Sequence, residues 1–346
     1  MFFASISKGF CAEIGEHTTL LARMTLPVAP FLVEELKELP SSDAGAIQDW
    51  VKNTEGKGST GYAHATCGIF PAKRVVRKHT VDLKRIKEPT YFGEICSQQF
   101  RIDPDKYTVR TLNPGDGDDY DLVKAAQKEI LFCGLPSQEI ITLQDKLLEQ
   151  GIYPERLELG TVATLGGMIN YLKFKQSRSP LLILEIGDES TQSFIVSADG
   201  VDISRPIPNG IAAMIPVVQK ELGLKDEESA RKLFYSNTFD FTSMGGVLVK
   251  KLLKELQSSI GFYEVQTGQS IGNVLCTQLP VSLSWLGTTM AGALGVPVLR
   301  MEMLPWLDSL NIKLADGVSL GTPEERWVGL FSLMASYQNV VPDEKK

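Results

Sequence analysis

The clearest pattern along the chain is a period-two alternation that breaks at glycine-bearing turns. Cys11 to Ile14 and Leu20 to Met24 flank the polar turn Gly15-Glu16-His17-Thr18, so Phe10 to Leu26 reads as strand, tight turn, strand. Pro30 to Leu39 alternates acidic and apolar residues. Ser42-Asp43 can then cap a short helix carrying Ile47, Trp50 and Val51 on one face, and Gly61 to Phe70 returns to a strand. Ile130 to Cys133 predicts a strand. Ser137 to Gln150 predicts an amphipathic helix, with Ile140, Leu143 and Leu147 at helical spacing and Gly151 as its stop signal.

The second half carries the strongest signal. After a helix over Val162 to Phe174, a three-stranded antiparallel meander is predicted from Leu182 to Ile186, Ser193 to Val196 and Val201 to Ile207, with turns after Ile186 and at Asp199-Gly200. Helices are expected over Ile211 to Leu222, Asp226 to Phe234 and Gly245 to Tyr263. The last buries Leu248, Leu252, Leu256, Ile260 and Tyr263 along one stripe. A buried strand (Ile271 to Cys276), a helix (Trp285 to Leu294) and a strand (Val296 to Met301) follow.

Composition narrows the function classes. The 346 residues suffice for two or three domains, and 43% apolar with 22% charged residues describes a globular chain. A net charge of -7 without a Lys/Arg cluster excludes a nucleic-acid binder and favours a basic partner. The odd set Cys11, Cys67, Cys96, Cys133 and Cys276 has no Cys-x-x-Cys pair and reads as buried thiols in a reducing compartment. Lys8 interrupts the apolar start Met1 to Phe10, which lacks a signal-peptide pattern, and the tail Val340 to Lys346 offers no amphipathic helix. No apolar run approaches the ~20 residues of a membrane span. Direct membrane insertion is not expected.

Most polar clusters have ordinary explanations. Asp116, Asp118, Asp119 and Asp121 lack the bidentate glutamate of a calcium loop and read as a solvated turn. His17, His64 and His79 have no metal-ligand spacing, and His64 and Cys67 fall on opposite faces of one strand. No metal site is assigned. Glu228 and Lys232 stand four apart as a surface ion pair. With no Ser/His/Asp or Cys/His nucleophile set and no phosphate-binding Gly-Lys loop, no catalytic residue is assigned.

Two strand-turn-strand units with acidic-x-Gly turns, Glu13-Ile14-Gly15 and Glu185-Ile186-Gly187, lie about half a chain apart. This resembles the duplicated phosphate-loop design of the actin, Hsp70 and hexokinase superfamily. The order of the second half, with Glu255 to Gly261-Phe262-Tyr263 and then Ile271-Gly272-Asn273-Val274-Leu275-Cys276, resembles the type IV pilus assembly protein PilM family. Glu129 to Pro136, the helix to Gly151 and Ile152-Tyr153-Pro154 are similar to the extra subdomain that PilM shares with the division protein FtsA. The resemblance implies an α/β, actin-like (ribonuclease H-like, duplicated) two-lobed fold. Residues 1–77, 154–180 and 305–346 would form the first lobe, 78–153 the inserted small subdomain, and 181–304 the second lobe with a helical subdomain.

The resemblance also assigns a nucleotide site to Glu13, Gly15, Glu185, Gly187, Ser190, Thr191 and Gln278, with turn-forming roles for Ser190 and Thr191 equally in view. The chain departs from the family there. Glutamates replace the family's metal-holding aspartates, and Asp188 and Glu189 replace small neutral residues, each repelling a triphosphate by ~1 kcal/mol. Thr277-Gln278-Leu279-Pro280-Val281 replaces consecutive glycines, adding side chains and removing one backbone donor. The expectation is a degenerate site: ATP/Mg weakly bound or not at all, and no turnover.

By the same resemblance the chain is expected to be a cytoplasmic scaffold of type IV pilus or type II secretion assembly, peripheral to the inner membrane through a partner. That partner would be a PilN-like single-span membrane protein, gripped by its cytoplasmic peptide, with other pilus components as further contacts. The peptide is expected near an exposed strand edge at Ile130, Leu131, Phe132 and Cys133 and the helix residues Ile140 and Leu143. An active actin-like ATPase or superfamily kinase and an FtsA-like division filament protein are the alternatives.

Overall fold

β1 (Gly9–Ile14) and β2 (Thr18–Met24) form the first predicted hairpin, with Glu13 opposite Leu20, and β3 (Phe31–Pro40) extends it antiparallel. The computed structural model describes residues 8–54, 61–124, 127–236 and 238–336. Most of the Met1 to Phe10 start and all of the Val340 to Lys346 tail lie outside them. Two compact units are present, Met1–Tyr171 with Glu302–Lys346, and Leu172–Met301.

In the first unit, α1 (Ala44–Asn53) begins at Asp43, whose carboxylate accepts the N–H of Ala46 as the cap read from sequence. β4 (Ala63–Ile69) then pairs parallel to β1. β5 (Val75–Thr80), α2 (Tyr91–Gln98), β6 (Tyr107–Leu112) and β7 (Glu129–Pro136) build a separate small sheet in the order β5-β7-β6. α3 (Ser137–Glu149) leads into β8 (Ile152–Leu159), which pairs parallel to β4. α4 (Gly160–Phe174) follows.

The second unit opens with the meander: β9 (Leu181–Ile186), β10 (Thr191–Ser197) and β11 (Gly200–Ile207). α5 (Ile215–Leu222), α6 (Glu227–Tyr235), α7 (Gly245–Leu248) and α8 (Lys250–Thr267) precede β12 (Asn273–Thr277), which pairs parallel to β9, and α9 (Trp285–Leu294). The chain then returns to the first unit with α10 (Met303–Ser309), β13 (Ile312–Leu314) and α11 (Val328–Ser336).

The two larger sheets share one plan. Their orders are β13-β3-β2-β1-β4-β8 and β11-β10-β9-β12, so each is an antiparallel three-strand meander continued by a parallel strand beside its first member. The second sheet gains its fifth position only as one parallel bridge, Val274 to Val298. The strand expected over Val296 to Met301 is reduced to that bridge, in which the Pro297 carbonyl accepts from Val274 and the Leu299 N–H donates to the Val274 carbonyl; Pro297 has no N–H to extend the ladder on its N-terminal side.

Period-two patterning decides what each face packs against. Phe10, Ala12 and Ile14 of β1 join Ile47 and Val51 of α1 and Leu147 of α3 in one core. The opposite face carries Cys11 and Glu13, and α11 packs on that sheet. The second unit's core gathers Leu182, Leu184 and Ile186 with Met214, Leu252 and Leu286. Cys67 and Cys133 are buried thiols pushed up to about 12 by desolvation, which leaves them protonated and inert.

Three expected boundaries shift for local reasons. Ile211–Ala213 is a short 3-10 turn, and α5 starts afresh with Pro216 in its first turn, where a missing N–H costs nothing. The helix expected over Gly245 to Tyr263 breaks at Val249 and runs on to Thr267, where Gly268 ends it at φ 68°. The separate small sheet and its connections span residues 75–136, where an inserted subdomain over 78–153 is expected. α3 buries Leu147 in the six-stranded sheet's core, with Ile140 and Leu143 packed against it, and Ile152 and Tyr153 already pair with β4.

Candidate functional site

In the first turn, the N–H of Gly15 donates to the carbonyl of Thr18 at 2.9 Å, closing the hairpin. Ser41 holds it from the end of β3: its hydroxyl donates to the Gly15 carbonyl at 2.9 Å and lies 2.9 Å from the hydroxyl of Thr19. Glu13 is 5% exposed and points toward the helices packed on its face of the sheet. A Cβ at Gly329 of α11 would sit 2.1 Å from its Oε2, so glycine there makes room for the carboxylate. The residue expected near a nucleotide's metal thus has its carboxylate inside the first unit.

A second carboxylate, Glu158 of β8, lies on the same side near Cys11 and pairs with Arg156. Burial raises its pKa above the ordinary carboxylate range, against the opposing pull of Arg156 and a hydrogen bond from Ser336. A raised folded-state value means that the native state binds more protons than the unfolded one, so this group's contribution falls as pH rises from the unfolded value through the folded one. Glu158→Gln is therefore expected to be more stable than wild type at about pH 8 and to converge with it near about pH 4. Urea unfolding at both values checks this.

The second turn is held more elaborately. The Gly187 N–H donates to the Ser190 carbonyl at 3.0 Å, while the carbonyls of Gly187 and Asp188 accept from Ile211 and Ala212 at 3.0 and 2.8 Å. The Thr191 hydroxyl is buried and donates to the Asn209 carbonyl at 2.7 Å, which gives it a structural duty. Asp188 turns to α6, where Arg231 reaches its carboxylate at 3.0 Å and the Tyr235 hydroxyl donates at 3.1 Å. Its charge is balanced locally, so the repulsion expected from it is reduced; Glu189 remains exposed.

Glu185 is 1% exposed, standing between Gln192 on β10 and Thr277 on β12 in a polar row across three strands. Gln278 follows at φ 62°, a left-handed conformation that favours glycine. Gln278 therefore holds a backbone conformation that glycine adopts without strain. Gln278→Gly is expected to raise stability by about 0.5–1 kcal/mol, measured by urea unfolding.

Sequence spacing did not point to Arg231 and Tyr235, although their separation of four on one helix places them on one face. Ser41 carried no signal at all. Other motif residues prove to be fasteners: Glu255 of α8 pairs with Arg205 of β11 at 2.8 Å, and the Tyr263 hydroxyl donates to Asp202 at 3.0 Å. Glu228 and Lys232 form the expected exposed pair at 2.7 Å. In the acidic loop, Asp116 accepts the N–H of Asp118 and Gly117 sits at φ 80°, a turn-forming role.

The edge expected at Ile130 to Cys133 is not present. β7 is the central strand of its sheet, paired on both sides, and Ile130, Leu131, Phe132 and Cys133 are all buried. Their continuous apolar run is that of a strand covered on both faces. Phe132 anchors the small core, with ring centroids of Phe92 and Phe100 at 5.4 and 5.2 Å. The outer side of β6 carries, among the described residues, only the bridge from Leu112 to Asp119. The Thr108 hydroxyl lies 3.0 Å from that of Ser137, bringing β6 to the start of α3. Glu139 stands near enough to Tyr107 to add to the effect of burial in raising its phenol pKa.

Two sheets of the same meander-plus-parallel plan, each with an acidic-x-Gly hairpin turn, define the actin-like α/β fold. One chain of a PilM–PilN type IV pilus biogenesis complex matches 97% of this chain over 100% of its own, with a TM-score of 0.68 at 14% identity. Weaker matches include a Bacteroides thetaiotaomicron protein with an actin-like ATPase fold and unknown function (TM-score 0.43, 9% identity, 86% of this chain and 93% of that one). The cytoplasmic domain of EpsL, an inner membrane component of the Vibrio cholerae type II secretion system, also matches (TM-score 0.43, 6% identity, 97% of each chain). No protein-family model and no curated protein sequence matches the chain. Among the described residues no helix is long and apolar enough to cross a membrane, and no group of three or more His, Cys, Asp or Glu could hold a metal ion.

Proposed function

We propose that the chain is a PilM-like cytoplasmic scaffold of type IV pilus or related secretion assembly, peripheral to the inner membrane through a single-span, PilN-like protein. The observation that carries this is the fold match along the whole chain to a component of a PilM–PilN complex. The peptide it receives comes from the cytoplasmic end of that protein, where Lys and Arg are enriched, and the net charge of -7 complements it. The open side of β6 beside α3 suits strand addition, with backbone pairing for affinity and Glu139 nearby for a basic side chain. Ile140 and Leu143, half-buried against the main core, lie on this helix.

The nucleotide site is read as degenerate. Glu13 lies inside its unit, Glu189 stands exposed on the second turn, and Leu279 and Pro280 occupy the family's glycine segment. Calorimetry with two titrants tests both halves of this reading. Mg-ATP is expected to give no saturable heat, and the cytoplasmic peptide of a PilN-like protein a saturable isotherm. A low-micromolar, Mg-dependent ATP isotherm with an inert peptide would favour the actin-like ATPase instead.

A further inference from the structure

Between α5 and the start of α8 the second unit holds a cavity of about 450 Å³ whose lining includes none of the residues considered for nucleotide. Its floor is apolar: Met214, Leu248 and Leu252 are buried beneath it, and Val247 stands 52% exposed at its side. Around this floor stand Lys220, Lys250 and Lys251, against a single Glu221. Among the described residues no ion pair engages any of the three lysines.

The placement of these lysines is electrostatically costly in isolation. Lys250 and Lys251 occupy the first turn of an 18-residue helix that has no acidic residue there, so like charges meet the positive end of the helix dipole. An acidic chain that keeps three unpaired cations around an apolar hollow carries a local charge opposite to its net charge. Both the lysines and the helix end are relieved by an incoming anion. The hollow and its apolar floor call for a side chain that enters it, which a flat layer of lipid headgroups does not supply.

We propose that this groove docks an acidic protein segment in which an apolar side chain fills the hollow and flanking Asp or Glu residues pair with Lys220, Lys250 and Lys251. The segment differs in sign from the basic peptide proposed for the first unit, so the two surfaces take different partners. The inference does not rest on the adaptor reading.

A random peptide display library selected on the intact chain tests it, with the triple variant Lys220→Glu, Lys250→Glu, Lys251→Glu as the comparison. All three positions are exposed, so the variant is expected to keep the wild-type unfolding midpoint. Selected peptides are expected to be rich in Asp and Glu around Leu, Ile or Phe. They should bind the triple variant at least tenfold more weakly, bind Val247→Asp more weakly as well, and lose affinity with added salt. Selected peptides without an acidic bias, or with equal affinity for the triple variant, would overturn the proposal. So would a selection that yields no binder while the wild type, and not the variant, sediments with phosphatidylglycerol vesicles; that outcome assigns the lysines to a membrane surface.

Discussion

Gly210→Ala is expected to destabilise the protein by about 2–4 kcal/mol, although it adds one methyl group to an extended backbone position. A Cβ at this residue would lie 2.4 Å from both the Gly187 and Asp188 carbonyl oxygens. These are backbone atoms that cannot rotate away, and the same oxygens accept from Ile211 and Ala212. Relief of the clash therefore separates the 209–212 segment from the second turn and breaks two hydrogen bonds worth about 1 kcal/mol each. The loss extends to Asp188, whose ties to Arg231 and Tyr235 depend on where the turn sits. Gly246→Ala is the matched control: nothing lies within 4 Å of its Cβ and it is helical, so a small gain is expected. Urea unfolding of both variants decides it, and equal effects would mean that the turn does not need this close approach.

Removing the small sheet's outer part is expected to abolish partner recruitment while leaving both large sheets folded. Thr80 and Glu129 stand opposite each other where β5 and β7 pair, so an Asn-Gly turn can replace residues 81–128 with hairpin geometry intact. Ile130 and Phe132 lose their cover in this variant and are changed to Thr. The excision removes β6 and α2 but spares α3, β8 and the core they complete. An unchanged unfolding midpoint with peptide binding reduced to background is the expected pair of results. Retained binding would place the peptide elsewhere, with the outer side of β5 next in line.

How far the sequence reached follows from which interactions are local. The hairpins and meander were legible because period-two runs meet Gly15, Gly187 and Gly200 at their turns, and α1 because Asp43 caps it. The duplicated plan was legible because two acidic-x-Gly turns repeat. What stayed hidden depends on neighbours distant in the chain. The apolar run Ile130 to Leu135 signals burial on two faces, yet only the pairing of β7 with both β5 and β6 shows that no edge is left. Glu13 sits at the expected place in sequence, but its accommodation against α11 needs Gly329, more than three hundred residues away. The charge of Asp188 was visible; its balancing by Arg231 of α6 was not. Likewise Lys220 and Lys250 share a groove only because α5 packs against α7, the short helix that leads into α8.

Membrane fractionation of cells that carry or lack the PilN-like protein tests the scaffold reading most directly. The wild-type chain is expected to float with membranes when that single-span protein is present and to remain in the soluble fraction when it is deleted. Equal membrane association in both strains, or a soluble chain in the presence of the intact membrane protein, would contradict recruitment through that partner.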